Sequence, residues 1–184
     1  MFTTCFAQVS CEALGLKRFP ENLIDRARAV RMLVLDVDGV LTDGLLYYTA
    51  EGELMKSFHT QDGYGLRRVM RAGIGIVVIS GRASAAVERR LRELEINEFH
   101  LGIGDKGPLL QRLIERAGCE RHEIAVAADD HPDLPMLQLA GLRLAVANAH
   151  PDIIEMADWV TERHGGRGAV RDVCDLLLAA QEPQ

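Results

Sequence analysis

Cysteine is scarce in this 184-residue chain, and its four residues show no C-x-x-C spacing: Cys5, Cys11, Cys119 and Cys174. The spacing indicates neither a zinc site nor a disulfide framework, and unpaired thiols are typical of a reducing compartment. No apolar run is long enough to cross a bilayer, and the N-terminus lacks the basic start of a signal peptide. We therefore expect a cytoplasmic protein with no membrane contact.

A surplus of basic residues is also missing. Lys and Arg total 21 against 27 Asp and Glu, which gives a formal net charge of −6. Nucleic acids and anionic membrane surfaces attract positively charged proteins, so this balance argues against both as partners. The apolar fraction of 48% is typical of a globular protein with a sizeable core.

Short apolar runs alternate along the chain with stretches of helical periodicity. The apolar runs predict strands at 32–37, 74–79, 98–101, 124–128, 142–146 and 158–161. The helical stretches lie at 21–30 and near 62–72, 83–95, 106–117, 133–140, 151–156 and 168–180. Strands that alternate with helices predict an α/β fold, with a mostly parallel sheet and helices on both of its faces.

One segment departs from this alternation. Residues 45–49 and 53–58 flank Ala50-Glu51-Gly52, which predicts a β-hairpin inserted after the first strand. No linker or internal repeat divides the rest of the chain. We expect one domain over residues 21–184, preceded by an irregular N-terminal extension over residues 1–20.

The first predicted strand ends in two carboxylates. Met32–Leu35 is a continuous apolar run, and Asp36, Asp38 and Gly39 follow it directly. Ligands of open α/β sheets bind beyond the carboxyl ends of the strands, and residues two apart in an extended chain point the same way. Two converging acids repel each other unless a cation joins them, and Mg²⁺ prefers oxygen ligands. This strand end therefore predicts a Mg²⁺ site.

Three later strands also lead into polar residues. The second leads to Ser80-Gly81-Arg82, the third to Gly104-Asp105-Lys106-Gly107 and the fourth to Asp129-Asp130-His131-Pro132-Asp133. Each group taken alone is explained by a helix cap, a turn or a solvated helix start. Capping does not explain why all of these groups follow strand ends. Their shared position indicates that they form one site together with Asp36 and Asp38.

This order of motifs resembles that of the haloacid dehalogenase-like (HAD) hydrolase superfamily: D-x-D-G, then Ser or Thr, then Lys, then an acid cluster. The resemblance covers roughly residues 21–180 and implies a Rossmann-like fold and a phosphatase activity. It implies that Asp36 attacks phosphorus to form an aspartyl-phosphate, and that Asp38 protonates the leaving alcohol and later activates water. Ser80 would donate to a phosphoryl oxygen, and Lys106 would neutralise charge on the phosphoryl group and on Asp36.

The same resemblance implies a magnesium cofactor. Its ligands would be the Asp36 carboxylate, the Asp38 main-chain carbonyl and Asp129. Asp130 or Asp133 would hold these ligands in position without binding the metal itself.

The chain has no room for a cap domain. In this superfamily, large caps are inserted between the first and second motifs or after the third strand. The segments from Asp36 to Ser80 and from Leu101 to Ile124 are too short to hold one. A capless site lies open to water, which weakens the electrostatics of the reaction. We therefore expect an oligomer in which a neighbouring subunit covers the site, with the hairpin as the contact.

Five longer stretches resemble one family of this superfamily, the 3-deoxy-D-manno-octulosonate 8-phosphate (KDO 8-phosphate) phosphatases. They are 35–44 (LDVDGVLTDG), 58–66 (FHTQDGYGL), 79–82 (ISGR), 129–135 (DDxxDLP) and 165–171 (GGxGAVR). The resemblance implies hydrolysis of this sugar-acid phosphate, a small molecule of lipopolysaccharide precursor biosynthesis. It also implies a homotetramer in which the hairpin and C-terminal tail of one subunit approach the active site of another.

The family resemblance assigns ten residues to substrate binding: Asp38, His59, Thr60, Gln61, Asp62, Gly63, Gly81, Arg82, Arg90 and Lys106. An arginine suits a carboxylate because its planar fork binds both oxygens, although Arg90 is equally typical of a charged helix surface. In the tail, Arg167 or Arg171 would meet a substrate oxygen or carboxylate.

Two features near the acid cluster depart from the family pattern. Ala128 precedes the acid pair where the family usually has glycine, and His131-Pro132 is an unusual pair within the cluster. Pro132 would fit the first turn of the next helix. Neither change removes an expected ligand.

Two alternatives remain open at this point. A phosphatase of the same fold that acts on a nine-carbon sugar acid 9-phosphate would have the same catalytic residues, so the sequence does not separate the two substrates. A signalling receiver domain also combines a strand-end Asp, a Ser or Thr and a Lys, but its phosphorylated Asp lies on a later strand than its acid pair. The position of Asp38 beside Asp36 favours hydrolysis over storage of a phosphoryl group.

Overall fold

The structure, a computed structural model, describes residues 19–181. Cys5, Cys11 and nearly all of the expected extension over residues 1–20 lie outside the described residues. The ring of Phe19, the first described residue, packs edge-on against Trp159 with 5.6 Å between the ring centroids.

The six predicted apolar runs form one sheet, and every neighbouring pair of its strands is parallel. The strands are β1 (Met32–Leu35), β4 (Gly75–Ser80), β5 (Glu98–Leu101), β6 (Ile124–Ala128), β7 (Leu142–Ala145) and β8 (Trp159–Val160). The spatial order is β5-β4-β1-β6-β7-β8, so β1 lies between β4 and β6. The predicted hairpin is a separate antiparallel pair, β2 (Tyr47–Thr49) and β3 (Gly52–Met55).

The central strands are covered on both faces. All four residues of β1 and all five of β6 are buried, and successive residues of a strand point to opposite faces. A parallel sheet between two helical layers has this pattern, which is why these strands read as unbroken apolar runs rather than as alternating ones. The predicted α/β arrangement is confirmed.

The helices of the described range are α1 (Glu21–Arg28), α2 (Thr60–Arg71), α3 (Ala85–Glu93), α4 (Lys106–Ala117), α5 (Leu134–Leu137), α6 (Pro151–Met156) and α7 (Ala169–Gln181). Helices α1, α2 and α7 pack together, as do α4 and α5. The single helix predicted over 133–140 is only partly right, because a 3₁₀ turn with Pro132 at its centre covers His131–Asp133 and the α-helix that follows ends at Leu137. Across residues 19–181, each helix is too short or too polar to cross a membrane.

Asp158, directly before β8, joins two distant elements. Its carboxylate accepts hydrogen bonds from the backbone and the guanidinium of Arg143, both at 2.8 Å, and from Arg26 of α1 at 2.7 Å. Partial burial favours the neutral acid, but the hydrogen bonds from Arg143 and Arg26 outweigh it and lower the pKa of Asp158 below its usual range. The ionised carboxylate therefore stabilises the folded state.

Asp158→Asn should lower the free energy of unfolding at pH 7 by about 1–3 kcal/mol, because both arginines lose a charged acceptor. Since the folded-state pKa is lowered, this stabilisation is complete above the unfolded value of about 3.9 and is lost as the pH falls through the folded value. Urea unfolding at pH 7 and pH 3 should therefore show a smaller difference between variant and wild type in acid.

Asp25→Asn is the matched control for this measurement. Asp25 pairs with Arg28 at 2.8 Å, but its side chain is 68% exposed, so the substitution should change stability by less than about 0.5 kcal/mol. Equal losses for Asp158→Asn at both pH values would contradict the assignment to the ionised carboxylate.

Candidate active site

Four strand ends converge on one cleft. Because neighbouring strands run parallel, their carboxyl ends meet at the same edge of the sheet. The cleft there has a volume of about 370 Å³, within the usual range for small-molecule sites. Its polar lining comes from every motif that the sequence placed at a strand end: Asp36, Asp38, Ser80, Gly81, Arg82, Gly104, Lys106, Asp129, Asp130 and Asp133.

A buried lysine lies at the centre of this cleft. The ammonium of Lys106, at the start of α4, donates to Asp36 Oδ1 and to Asp133 Oδ1, each at 2.6 Å. All three side chains are almost fully buried. Burial disfavours the charged ammonium, but the two carboxylates outweigh it and raise the pKa of Lys106 above its usual value. Lys106 therefore stays positively charged.

The acids around Lys106 outnumber it. Burial and repulsion from Asp133 raise the pKa of Asp36 to about 6, despite the opposing effect of Lys106. Burial and repulsion from Asp36, Asp133 and Asp130 raise the pKa of Asp129 to about 8. Full ionisation of these acids would therefore leave more negative charge than Lys106 compensates.

This donor set fits a hard divalent cation. Carboxylate oxygens of Asp36, Asp129 and Asp133 all lie within 4.8 Å of one another, and Mg²⁺ prefers such oxygen ligands. Asp133 also accepts from the backbone N–H of Asp129 at 3.4 Å, so it supports that residue as well as Lys106. Asp130 instead accepts from the backbone of His131 at 2.8 Å and is exposed. Of the two acids expected to support the ligands, Asp133 is the one whose contacts do so.

The loop after β1 brings Gly39 against Asp129. Gly39 has φ +96, and a Cβ at this position would overlap the Asp129 carboxylate. Glycine is therefore needed here both for the backbone angle and for space. The buried hydroxyl of Thr42 holds the loop closed, since it donates to Val37 O at 3.3 Å and accepts from the N–H of Gly44 at 3.3 Å.

The hairpin brings a cation that the sequence analysis missed. The ammonium of Lys56, just after β3, contacts the Asp38 carboxylate, and its side chain is only 1% exposed. Arg82 approaches the other Asp38 oxygen, with 3.6 Å from Nε to Oδ2. Glu53 of β3 accepts from Ser84 and lies 3.4 Å from Lys56. The hairpin is thus anchored to the cleft of its own chain, and two cations flank Asp38.

Comparison with known proteins identifies the family. The haloacid dehalogenase-like hydrolase family matches residues 102–172. The 3-deoxy-D-manno-octulosonate 8-phosphate phosphatase KdsC of Escherichia coli (strain K12) is 42% identical over 178 residues, which cover 97% of this chain and 89% of that protein. The chain belongs to the KDO 8-phosphate phosphatase family.

Solved structures agree with this family. A HAD-superfamily (subfamily III A) hydrolase from Legionella pneumophila is 47% identical, with a TM-score of 0.84 and coverage of 86% of this chain and 87% of that one. The phosphatase of Moraxella catarrhalis, solved with magnesium, phosphate and KDO, is 38% identical with a TM-score of 0.84, and the match covers 89% and 94% of the two chains. The expected Rossmann-like, capless HAD fold with its hairpin insertion is confirmed, and the protein is a phosphatase.

In this phosphatase, the GGxGAVR stretch packs on the loop that follows Asp36. The N–H of Gly166 donates to Val40 O at 3.0 Å, and a Cβ on Gly165 would overlap the Gly39 carbonyl. The tail arginines are paired within the chain, Arg167 with Asp43 at 3.2 Å and Arg171 with Asp175 at 2.7 Å. The stretch therefore supports the loop after β1, and contact of these arginines with substrate remains a prediction.

The FHTQDGYGL stretch does not line the cleft, and its polar side chains join α2 to later segments of the chain. Asp62 accepts from the backbone N–H of Arg171 at 2.7 Å, near the start of α7, and Gln61 accepts from Arg163 at 2.9 Å. Within one chain, His59, Asp62, Gly63 and Arg90 line a separate narrow pocket, while Thr60 begins α2. Of the ten expected substrate-binding residues, only Asp38, Gly81, Arg82 and Lys106 line the cleft. Substrate contact by the others remains a prediction.

Gly39→Ala should lower phosphatase activity by about 100-fold or more. The added Cβ would displace the Asp129 carboxylate, and displacement of an active-site group by about 1 Å has an effect of this size. Phosphate release from p-nitrophenyl phosphate measures the loss. Gly73→Ala is the control, since Gly73 also has a positive φ, +88, but no atom lies within 4 Å of its added Cβ. Similar activity in the two variants would show that the close approach of Gly39 to Asp129 is not required.

Lys56→Met should lower kcat by about 10-fold or more. The reason is that Lys56 holds Asp38, the expected acid/base residue, and such a group contributes about 10²–10⁴-fold only when it is held in position. Methionine keeps much of the length of the side chain and removes its charge. Glu51→Gln serves as the control, since Glu51 is fully exposed at the hairpin turn. Wild-type kcat in Lys56→Met would show that the contact with Asp38 has no part in turnover.

Proposed function

We propose that this phosphatase hydrolyses KDO 8-phosphate to the free sugar acid and inorganic phosphate, through an aspartyl-phosphate on Asp36 and with Mg²⁺ as cofactor. The observation that carries the proposal is the buried ammonium of Lys106, held 2.6 Å from Asp36 Oδ1. This contact fixes the carboxylate and leaves its other oxygen available for attack on phosphorus. Membership of the family supports the choice of substrate.

In the first step, an Asp36 oxygen attacks phosphorus, and the bond from phosphorus to the sugar oxygen breaks. Lys106 stays charged and stabilises the negative phosphoryl oxygens. The hydroxyl of Ser80 accepts from the backbone N–H of Arg82 at 3.2 Å, so its own proton is free to be donated to a phosphoryl oxygen.

Asp38 would move the protons of both steps. It gives a proton to the sugar oxygen as that oxygen leaves, and it later removes a proton from the water that attacks the aspartyl-phosphate. Release of phosphate restores the Asp36 carboxylate, so protons balance over one cycle. Lys56 and Arg82 hold Asp38 from two sides and limit its freedom to turn away.

The carboxylates of Asp36 and Asp129, with the main-chain carbonyl of Asp38, are the proposed Mg²⁺ ligands. Asp133 would orient Asp129 and Lys106 behind them. When bound, Mg²⁺ supplies positive charge that offsets the excess of acids and the phosphoryl oxygens.

The sugar acid would extend from the phosphate towards Arg82, whose side chain is 42% exposed at the cleft. Its guanidinium suits the substrate carboxylate. A nine-carbon sugar acid 9-phosphate meets the same catalytic residues and remains the alternative. A receiver domain is no longer an alternative, because the chain is a phosphatase. The cytoplasmic location stays a prediction.

Steady-state phosphate release from a panel of esters tests the substrate. We expect kcat/KM for KDO 8-phosphate to exceed that for the nine-carbon 9-phosphate and for p-nitrophenyl phosphate by about 10-fold or more, as lost contacts of 1–3 kcal/mol produce.

Asp36→Asn should abolish turnover on every ester, because an amide does not attack phosphorus. Excess chelator should stop the wild type, and added Mg²⁺ should restore it. Preference for the nine-carbon ester would favour the alternative, and residual turnover by Asp36→Asn would exclude Asp36 as nucleophile.

We also propose that the hairpin mediates assembly into a homotetramer. The hairpin and the two residues before it expose several large apolar side chains: Leu45, Leu46, Tyr47, Tyr48, Leu54 and Met55. Contiguous apolar surface of this kind marks an interaction site, and a capless cleft needs a cover.

Sedimentation of the wild type should give a tetramer, and Leu54→Glu should dissociate it, since Leu54 is 63% exposed and a charge there would be buried in the interface. Ile154→Glu, at a position 37% exposed on α6, is the control and should remain assembled. A monomeric wild type with full activity would contradict the assembly.

A further inference from the structure

A cluster of two imidazoles and a carboxylate lies on the surface beside the loop of Asp129. His131 begins the 3₁₀ turn after the acid pair, and His150 and Asp152 lie at the start of α6. His131 Nε2 is 2.7 Å from Asp152 Oδ2, and His150 Nδ1 is 3.6 Å from the same oxygen. The two rings are tilted by 50° to each other, with 4.3 Å between their centroids. None of these residues has a role in the proposed reaction.

The spacing suits one metal ion. Zinc bound to nitrogen and oxygen at about 2.0–2.1 Å in a tetrahedral site separates its ligand atoms by about 3.4 Å. The two measured separations fall on either side of that value, and all three donor atoms lie within 4.8 Å of one another. His150 Nδ1 accepts a hydrogen bond of 3.3 Å from the N–H of Asp152 and so caps α6, and a bound metal ion would replace that N–H as the partner of the nitrogen lone pair.

A second carboxylate orients one of the imidazoles. Asp130 Oδ1 lies 3.4 Å from His131 Nδ1, on the opposite side of the ring from Asp152. Histidines that bind metals usually donate their other nitrogen to a carboxylate or carbonyl in this way. The side chains of His131, His150 and Asp152 are 43–62% exposed, so an ion can enter from solvent and keep water in the remaining positions.

We propose that His131, His150 and Asp152 form a second metal site, which binds one divalent ion with a preference for imidazole, such as Zn²⁺. Its ligands differ in kind from the all-oxygen cluster at Asp36, where Mg²⁺ is favoured. The site adjoins that cluster, because the backbone N–H of His150 donates to the Asp129 carbonyl at 2.7 Å. His131 is part of the His-Pro pair by which this chain departs from the family pattern.

Zinc binding by the full chain without a histidine tag tests the site, with saturating Mg²⁺ present and a chromophoric chelator as competitor. Wild type should bind one Zn²⁺ per chain, and His131→Gln and His150→Asn should each bind it about 10-fold or more weakly. Asparagine at position 150 keeps a capping oxygen for α6 and removes the imidazole. His122→Gln is the control, since His122 is 63% exposed and pairs with Glu120; it should bind zinc as the wild type does.

Electron paramagnetic resonance of bound Cu²⁺ distinguishes the two clusters. Coupling to two imidazole nitrogens in the wild type should fall to one in each histidine variant, whereas a copper ion at the all-oxygen cluster shows none. Thermal unfolding checks that the variants fold, and Asp152→Asn replaces any that does not. Unchanged zinc affinity in both His131→Gln and His150→Asn, or displacement of zinc by Mg²⁺ alone, would overturn the proposal.

Discussion

The site depends on a single buried cation shared by two carboxylates. Lys106 contacts Asp36 and Asp133 at 2.6 Å, in surroundings where an unpaired charge is destabilising by several kcal/mol. The pairing keeps the lysine charged, fixes the direction of Asp36 and holds the turn that carries Asp133. It does not compensate the whole cluster, because one ammonium is shared by Asp36 and Asp133 and the carboxyl group of Asp129 lies beside them. The fold thus builds a pocket with unbalanced negative charge, and a divalent cation is the simplest way to balance it.

Close packing of backbone against backbone keeps this cluster in position. Gly39 allows the loop after β1 to lie against Asp129, and Gly165 lies directly on the carbonyl of Gly39. A side chain at Gly39 or Gly165 would push the loop after β1 away from Asp129 or from the Gly165 stretch. The geometry of the site therefore depends on these two glycines as well as on hydrogen bonds. Asn148 links the same two loops, since it donates to Gly39 O at 3.4 Å and accepts from the N–H of Gly165 at 2.6 Å.

The sequence predicted the sheet and the acid cluster because both follow from local patterns. Unbroken apolar runs mark the buried strands, and parallel strands bring their carboxyl ends together wherever the helices lie. Contacts between distant segments carry no such local signal. Lys56 has no neighbour in sequence that marks it, and its partner Asp38 is 18 residues away. The stretches 58–66 and 165–171 were identified by resemblance, but their contacts with α7 and with the loop after β1 depend on how three segments meet in space.

The hairpin has two sides with different chemistry, and this links the proposed assembly to the proposed reaction. Its inner side places Lys56 on Asp38 and Glu53 on Ser84, while Leu54, which points to the opposite face of the strand from Glu53, is 63% exposed on the outer side. Isolated two-stranded hairpins are marginally stable in water, so this one needs contacts on both sides to hold a fixed position. A neighbouring subunit on the outer side would restrict the motion of Lys56 on the inner side. Association would then act on the acid/base residue through the hairpin, without any residue of the neighbour having to reach the phosphate.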